Sequence, residues 1–429
     1  MRTNFFTKIL KKIIPKDLKK NSFLRKVLAL IANAYFGFPS HKLILLGVTG
    51  TTGKTTTTFM IKSILEEAGI KTGLIGTAGY YLDDEVIYDQ GDQGPGTTPD
   101  PFFLHHLLKK MTKKKIRVVI IEVSSFGLMY WRTYGLRFQA AVLTNIAYNH
   151  HIVLHKGMEN YIKEKLKFFR YLPKNSSAIL PQESEYLNLF KKNTRAKVLT
   201  YGFNSNCDIW ATGSTIHCQN KTFDLKLKIP ASFNVLNALA AIGAVYKLQI
   251  SEAQTKTGLE KIESIPGRLE MITRQAPFKI IIDKANTPLA FQNIIDYLNQ
   301  SFKTKRKIVV YGTFNESPLE EREMLAKLTT DFFDLTIITE DDPKDELPQK
   351  GIEDFLNFAQ KNAISENKYL TIVDRREAIK TAIEKAKAND LILVLGRGNE
   401  QFMLYKNKKI PFDDRVVTKE ILKEAGYLL

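Results

Sequence analysis

An apolar run, Lys42–Val48, meets a helical pattern, Thr55–Ala68, across Gly50-Thr51-Thr52-Gly53-Lys54-Thr55. A strand that turns through glycines into a helix gathers backbone N–H groups and the positive helix end at one point, which favours an anion. The pattern reads as a phosphate-binding P-loop. Gly50 and Gly53 allow close approach to phosphate oxygens, Lys54 would reach the β- and γ-phosphates, and the Thr55 hydroxyl suits Mg²⁺. The expected nucleotide set is Gly50, Thr51, Thr52, Gly53, Lys54, Thr55 and Thr56. The strict pattern asks for glycine five positions before Gly53, where Val48 stands; Gly47 is one place too early. The loop is therefore a variant, G-T-x-G-K-T, and the competing account is a chance turn before a helix.

The rest of the chain fits a fold that such a loop requires. Strand-like runs follow at Thr72–Ile75, Arg117–Val123 and Ala140–Leu143, with helical segments between them. Strands alternating with helices predict a parallel, doubly wound α/β sheet. Residues 176–230 change to short alternating segments such as Phe223–Ile229, and Phe233–Leu248 reads as an alanine-rich helix. A second β/α series then runs through Phe278–Asp283, Lys307–Tyr311, Leu335–Thr339, Tyr369–Val373 and Leu391–Leu395. Pro266–Gly267 falls between the two series and marks a hinge at Ser264–Arg268. The expected organisation is a basic segment over 1–40, a central P-loop ATPase-type domain over 41–265 and a Rossmann-like α/β domain over 266–429.

Composition supports a globular, multidomain chain: of 429 residues 44% are hydrophobic and 25% charged, which excludes a disordered or fibrous protein. Cys207 and Cys218 are too few for a disulfide framework, and no run of about 18 apolar residues occurs, so the expected location is the cytoplasm. The net charge of +18 is uneven. Residues 1–27 hold Arg2, Lys8, Lys11, Lys12, Lys16, Lys19, Lys20, Arg25 and Lys26 against Asp17 alone. Phe6, Leu10, Ile13 and Ile14 share one helical face and Lys8, Lys11 and Lys12 another, until Pro15. Such a segment predicts peripheral contact with an anionic membrane, with a solvated helix packed on the next domain as the equal alternative. No organised nucleic-acid module is present, and nucleic acid is not expected as a partner.

At the end of the run Arg117–Val123 stands Glu122, followed by Ser124 and Ser125. A carboxylate at a strand end beside a P-loop can reach the nucleotide's Mg²⁺. Together with Thr97-Thr98-Pro99-Asp100, Thr144-Asn145, Met158-Glu159-Asn160-Tyr161, Lys165, Phe233-Asn234, Pro266-Gly267-Arg268-Leu269-Glu270, Thr287-Pro288 and Phe412-Asp413-Asp414-Arg415, these motifs resemble the Mur ligase family of ATP-dependent amide-forming ligases, in its UDP-N-acetylmuramoyl-tripeptide synthetase branch. The resemblance spans about residues 40–429. It implies that ATP phosphorylates a substrate carboxylate and that an amine then attacks the acyl phosphate. It further implies ATP and Mg²⁺ as cofactors, with Glu122, His150, Thr55 and a carbamylated Lys165 around the metal. Lys54, Lys165, Arg268 and Asp283 are the catalytic set so implied. Thr97, Thr98, Ser124 and Arg132 match positions that contact a UDP-sugar-peptide, and Asp341, Lys344, Gly396 and Glu400 match those that select the amino acid.

Departures from that pattern keep other readings open. The family's uridine-binding first domain has no counterpart in the 40 residues before the P-loop strand. Thr52 stands at a usual Asn, Phe126 at a usual His and Tyr130 at a usual Gln; D-H-L-D-Y-H-G becomes Asn149 to His155 with both acids lost. Thr313-Phe314-Asn315-Glu316-Ser317 lacks an arginine that would bind the incoming amino acid, and Lys344 replaces another. Lysine keeps the charge without the bidentate fork. The leading expectation is addition of meso-diaminopimelate or L-lysine to UDP-N-acetylmuramoyl-L-Ala-D-Glu. The alternatives are the same chemistry on another carboxylate–amine pair, or a non-catalytic nucleotide-binding relative.

Overall fold

A computed structural model describes residues 21–427 apart from 84, 88–96, 149–150, 219–220, 230, 274, 303–304, 315–316 and 407. The expected amphipathic helix around Phe6–Ile14 and the expected ligand His150 lie outside the described residues. The chain divides into two compact units, the second comprising residues 147–156, 229–231 and 264–429.

The first unit is built on an eleven-stranded sheet. Its strands are β1 (Ile44–Thr49), β2 (Thr72–Gly76), β3 (Gly79–Leu82), β4 (Glu85–Ile87), β5 (Val118–Glu122), β6 (Phe138–Leu143), β7 (Ser177–Pro181), β8 (Lys197–Gly202), β9 (Ile209–Thr212), β10 (Thr215–Cys218) and β11 (Lys221–Asp224). They lie in the order β11-β10-β9-β8-β7-β6-β1-β5-β2-β3-β4. From β9 to β2 every pairing is parallel, and antiparallel hairpins extend both edges. Buried on both faces, β1, β5 and β6 read as continuous apolar runs, which is why the sequence shows them so clearly. β1 lies between β5 and β6, with Val48 opposite Glu122 and Thr49 opposite Leu143, so the loop leaving β1 opens between two strand ends. In open α/β sheets this is where ligands bind.

Six helices of this unit frame that loop and its surroundings: α1 (Ser22–Tyr35), α2 (Lys54–Glu67), α3 (Pro101–Lys113), α4 (Ser125–Met129), α5 (Met158–Arg170) and α6 (Ser232–Val245). Gly47 has a packing role. A Cβ there would collide with Phe168 and lie 2.9 Å from Phe138, and these two rings pack edge to face over β1 at 4.9 Å. The expected alternation over Phe223–Ile229 is shorter in the structure. β11 ends at Asp224, and the Lys226 N–H leaves the ladder to donate to Glu260 Oε1 at 2.8 Å.

The second unit carries β12 (Glu270–Met271), β13 (Lys279–Asp283), β14 (Lys307–Thr313), β15 (Leu335–Glu340), β16 (Tyr369–Thr371) and β17 (Leu391–Leu395) in the order β12-β13-β17-β14-β15-β16. All pairings but that of β12 are parallel. Isoleucine, valine and leucine fill both faces, with Ile280, Ile282, Val310 and Val394 on one side and Ile281, Val309, Ile338 and Leu393 on the other. Among the described residues no helix is long and apolar enough to cross a membrane.

Candidate active site

The loop after β1 is held in shape by neighbouring elements. Gly50 and Gly53 have φ of 149° and 80°, and a Cβ on either would collide with Thr144 Oγ1 or Asn237 Oδ1. Glycine is required at both places. The end of β6 braces the loop: the Thr51 N–H donates to the Asn145 carbonyl at 3.0 Å, and the Thr52 N–H to Asn145 Oδ1 at 3.0 Å. Asn145 Nδ2 donates to Thr52 Oγ1 at 2.9 Å, and Thr144 Oγ1 donates to the Thr52 carbonyl at 2.6 Å. From α6, Asn237 Oδ1 accepts from Thr57 Oγ1 at 3.3 Å. The Lys54 ammonium donates to the carbonyls of Gly50 and Thr51 at 2.9 and 2.8 Å, so its charge sits over the loop mouth. Thr55 and Thr56 open α2 and are buried, and the helix N-terminus faces the loop.

Lys165, from α5, also reaches the loop. Its side chain is 1% exposed, its Nζ donates to the Gly50 carbonyl at 2.9 Å, and it lies 4.6 Å from the centre of the Tyr161 ring. Tyr161 Oη and Thr51 Oγ1 are hydrogen-bonded at 3.0 Å. Burial lowers the Lys165 amine to about 7. At neutral pH the neutral amine is thus well populated, which an ordinary lysine does not allow.

A second cluster forms at the ends of β5 and β2. Glu122 is fully buried, its Oε1 accepts the Thr77 N–H at 3.3 Å, and its Oε2 accepts from Thr77 Oγ1 at 3.0 Å. Thr77 Oγ1 and Thr97 Oγ1 are hydrogen-bonded at 2.9 Å. Thr98 Oγ1 donates to the Glu122 carbonyl at 2.7 Å and accepts the Ser124 N–H at 2.9 Å. Ser124 Oγ accepts the Gly127 N–H at 3.0 Å, capping α4, and Arg132 donates to the Thr98 carbonyl at 2.5 Å. Gly76 leaves room for the carboxylate, since a Cβ there would collide with Glu122 Oε1. The structure therefore brings Thr97, Thr98, Glu122, Ser124 and Arg132 together.

The remaining expected residues lie in the second unit, in two groups. Around the turn at Gly267, the Leu269 N–H donates to Asp283 Oδ2 at 2.7 Å, and Arg268 donates to the Gly267 carbonyl at 3.0 Å. Burial raises the Asp283 carboxyl, and Arg268 and the Leu269 N–H oppose that. Beyond β17, Arg397 is fully buried and donates to Asp341 and Asp342 at 2.7 Å each, and lies 3.8 Å from Glu400. Lys284 pairs with Glu400 at 2.5 Å. Burial raises the carboxyls of Asp341 and Asp342 against the pull of Arg397. Glu400 is held below the usual carboxylate range because Lys284 and Arg397 outweigh its burial. Lys344 donates its N–H to the Leu404 carbonyl at 2.9 Å, and Gly396, at φ 116°, would carry a Cβ 2.6 Å from Asp341 Oδ2.

Sequence reasoning overlooked Thr77, Asn237, Lys284 and Arg397 as parts of these clusters. Thr77 follows a strand end, a signal that was legible. Arg397 is separated from Asp341 and Asp342 by 56 and 55 positions and Lys284 from Glu400 by 116, and no local pattern ties these pairs together.

A glycine-bent loop between a parallel strand and a helix, carrying a lysine and a buried threonine, defines a P-loop nucleotide-binding α/β protein. Two family models match: the Mur ligase middle domain over residues 48–245, and the Mur ligase glutamate ligase domain over residues 267–398. The UDP-N-acetylmuramoyl-L-alanyl-D-glutamate–2,6-diaminopimelate ligase of Clostridium botulinum is 36% identical over 94% of this chain and 83% of its own length. A solved structure of a ligase with the same name superposes with a TM-score of 0.60 at 23% identity, covering 97% of this chain and 84% of that one. Escherichia coli FolC, solved with ADP, superposes with a TM-score of 0.70 at 21% identity over 94% and 93%. At these identities the two structures show the fold. The chain belongs to the Mur ligase family of ATP-dependent amide-forming ligases.

Proposed function

We propose that this ligase adds a diamino acid, meso-diaminopimelate or L-lysine, to UDP-N-acetylmuramoyl-L-Ala-D-Glu in the cytoplasm, with 41–265 as the ATP-binding domain, 266–429 as the C-terminal ligase domain and no role for nucleic acid. What supports the reaction is the meeting of Lys54 and Lys165 at the Gly50 carbonyl, which gathers two amine groups at the phosphate loop. What supports the substrate is the similarity, over nine-tenths of the chain, to relatives named for diaminopimelate addition.

In the reaction, a carboxylate oxygen of the peptide attacks the γ-phosphorus and ADP leaves. The amine nitrogen then attacks the acyl carbon, phosphate leaves, and the nitrogen loses a proton as the amide forms. Lys54 and the loop N–H groups stabilise charge on the transferring phosphoryl group, and Arg268 and Asp283 belong to the catalytic set that the family resemblance implies. Thr97, Thr98, Ser124 and Arg132 hold the peptide substrate; Asp341, Lys344, Gly396 and Glu400 hold the amino acid.

The donor set suits Mg²⁺. Glu122 and Thr55 offer buried oxygens, and no group of three or more His, Cys, Asp or Glu that could hold a metal occurs among the described residues. That agrees with an ion that keeps several waters and takes one or two protein ligands. Bound there, it would neutralise phosphate charge; the family resemblance adds His150 and a carbamylated Lys165 to the ligands it implies. The lowered amine of Lys165 favours that modification, because only the neutral amine can attack carbon dioxide.

Phosphate release from ATP and Mg²⁺ with the UDP-dipeptide tests this reading. Release that needs both the peptide and one diamino acid, and that disappears in Lys54→Ala, would support it and name the amine. The same ligase chemistry on another carboxylate–amine pair is favoured by one observation: Lys284 already occupies Glu400. No release with either amine, while ATP still binds, would move the assignment there or to a non-catalytic nucleotide-binding role.

A further inference from the structure

Helix α1 leaves an unusual amount of apolar surface uncovered for a helix on a domain surface. The side facing the domain carries small or polar residues, with Ala29, Ala32 and Asn33 buried. Arg25 and Lys26 also turn inward, 4.3 Å from the Tyr130 ring centre and 4.1 Å from that of Trp131. Leu24, Val27 and Leu28 are half-buried and Leu30 Cδ2 lies 3.0 Å from where a Cβ on Gly135 would stand, yet several large apolar side chains are left in solvent. Phe23, Leu30, Ile31 and Tyr35 are 72%, 46%, 51% and 59% exposed, and Phe38 continues the ridge just past the helix at 46%. Positions 23, 27, 30 and 31 recur at helical spacing and Tyr35 stands one turn beyond Ile31, so the exposed side chains neighbour one another along the helix. A contiguous apolar stripe facing solvent marks an interaction surface.

Positive charge stands at the C-terminal end of the ridge, and the sequence that precedes the helix is basic. The twenty residues leading into Asn21 hold seven Lys/Arg and one acid. At the other end, Lys109 Nζ lies 3.8 Å from where a Cβ on Gly37 would stand, and Lys113 stands one turn later on α3. Arg117 is adjacent, its carbonyl accepting the Ile44 N–H at 3.0 Å. Glu85 pairs with Lys110 and Lys114, and among the described residues no carboxylate pairs with Lys42, Lys109, Lys113 or Arg117. Beside α1, Trp131, Tyr134 and Tyr171 pack edge to face at 5.5 to 5.9 Å, residue types suited to a membrane–water boundary.

We propose that α1 is a peripheral membrane contact. Phe23, Leu30, Ile31, Tyr35 and Phe38 enter the boundary between headgroups and acyl chains of an anionic bilayer, and the flanking lysines and arginines meet lipid phosphates. Charge complementarity selects lipid over a protein partner, because durable anchoring needs apolar burial and a basic patch together, and both are present. The inference extends the sequence expectation for residues 1–27 to a different set of side chains, and it stands apart from the ligase reading.

The test sediments the full-length chain with vesicles of phosphatidylcholine alone and of a phosphatidylcholine–phosphatidylglycerol mixture. Binding is expected to the mixture only, weakened by salt, and reduced about tenfold or more in a Phe23→Ser, Ile31→Glu variant. That variant should keep its far-UV spectrum and its phosphate release, so a failed ligase assignment would not touch the result. Equal sedimentation of variant and parent would overturn the proposal, as would no sedimentation of the parent. A concentration-dependent dimer lost in the variant would also overturn it, assigning the ridge to a second copy.

Discussion

In the first unit the amines of Lys54 and Lys165 both end on the carbonyl of Gly50, whereas in the second Arg397 ends on two carboxylates and Lys284 on a third. The first arrangement sets the Lys54 cation, and an amine that burial makes easy to deprotonate, on a backbone dipole, a partner that a phosphate can displace. The second neutralises buried charge internally, which fixes a shape but leaves less charge to offer a ligand. Positive groups aimed at backbone oxygen thus mark a site prepared for an anion. Positive groups satisfied by carboxylates mark a preset shape, in which the amino acid proposed to meet Asp341 and Glu400 must compete for partners already taken.

The strongest test of that contrast is charge removal in each unit. Lys54→Ala should lower turnover by about a thousandfold or more, with a thermal midpoint close to that of the parent, because its charge is needed only when a phosphoryl group moves. Arg397→Met should do the reverse. Asp341 and Asp342 would be left buried without their cation, at a cost of about 3–5 kcal/mol in chemical denaturation. Adding Asp341→Asn to Arg397→Met should recover part of that loss. If Arg397→Met leaves stability unchanged and abolishes turnover, Arg397 acts on the bound amino acid and not on the fold.

Lys165 sits between these cases, and pH separates them. Its folded value of about 7 lies below the roughly 10.4 of a free lysine. Between those values the unfolded chain binds a proton that the native chain has released, so stability rises with pH from about 7 to 10, and below 7 the full burial cost is present. Lys165→Met should therefore stabilise the chain at pH 6, on the order of 3 kcal/mol, and the gain should fade towards pH 10. A difference that does not vary with pH would show that burial of the charge is not its source.

How much of this was readable in the sequence depended on how local each feature is. Strands β1, β5 and β6 are buried on both faces, so their apolar runs stood out, and the loop between β1 and α2 was contiguous. Glu122 was legible because it ends a strand. Gly47 was misleading in isolation, since its reason is the pair of rings from Phe138 and Phe168, 91 and 121 positions away. The strand at Phe223 was overextended because alternation alone cannot report that the Lys226 N–H finds Glu260 instead of a neighbouring strand. The Arg397 cluster was hidden for the same reason: a buried ion pair is a property of two distant positions, and neither signals it alone.

The smallest expected effect tests whether the loop's shape, apart from its charge, carries nucleotide affinity. Asn145 is the brace to remove. Asn145→Ala keeps the backbone bond from the Thr51 N–H but deprives the Thr52 N–H of Oδ1 and Thr52 Oγ1 of Nδ2. An unpaired, partly buried backbone N–H costs about 1–2 kcal/mol, and here that cost falls on the loop conformation that binds phosphate. KM for ATP should rise about tenfold while kcat changes little, because Lys54 and Lys165 keep their places on Gly50. A fall in kcat approaching that of Lys54→Ala would mean that the brace sets the geometry of the transferring phosphoryl group, and that shape and charge in this loop are not separable.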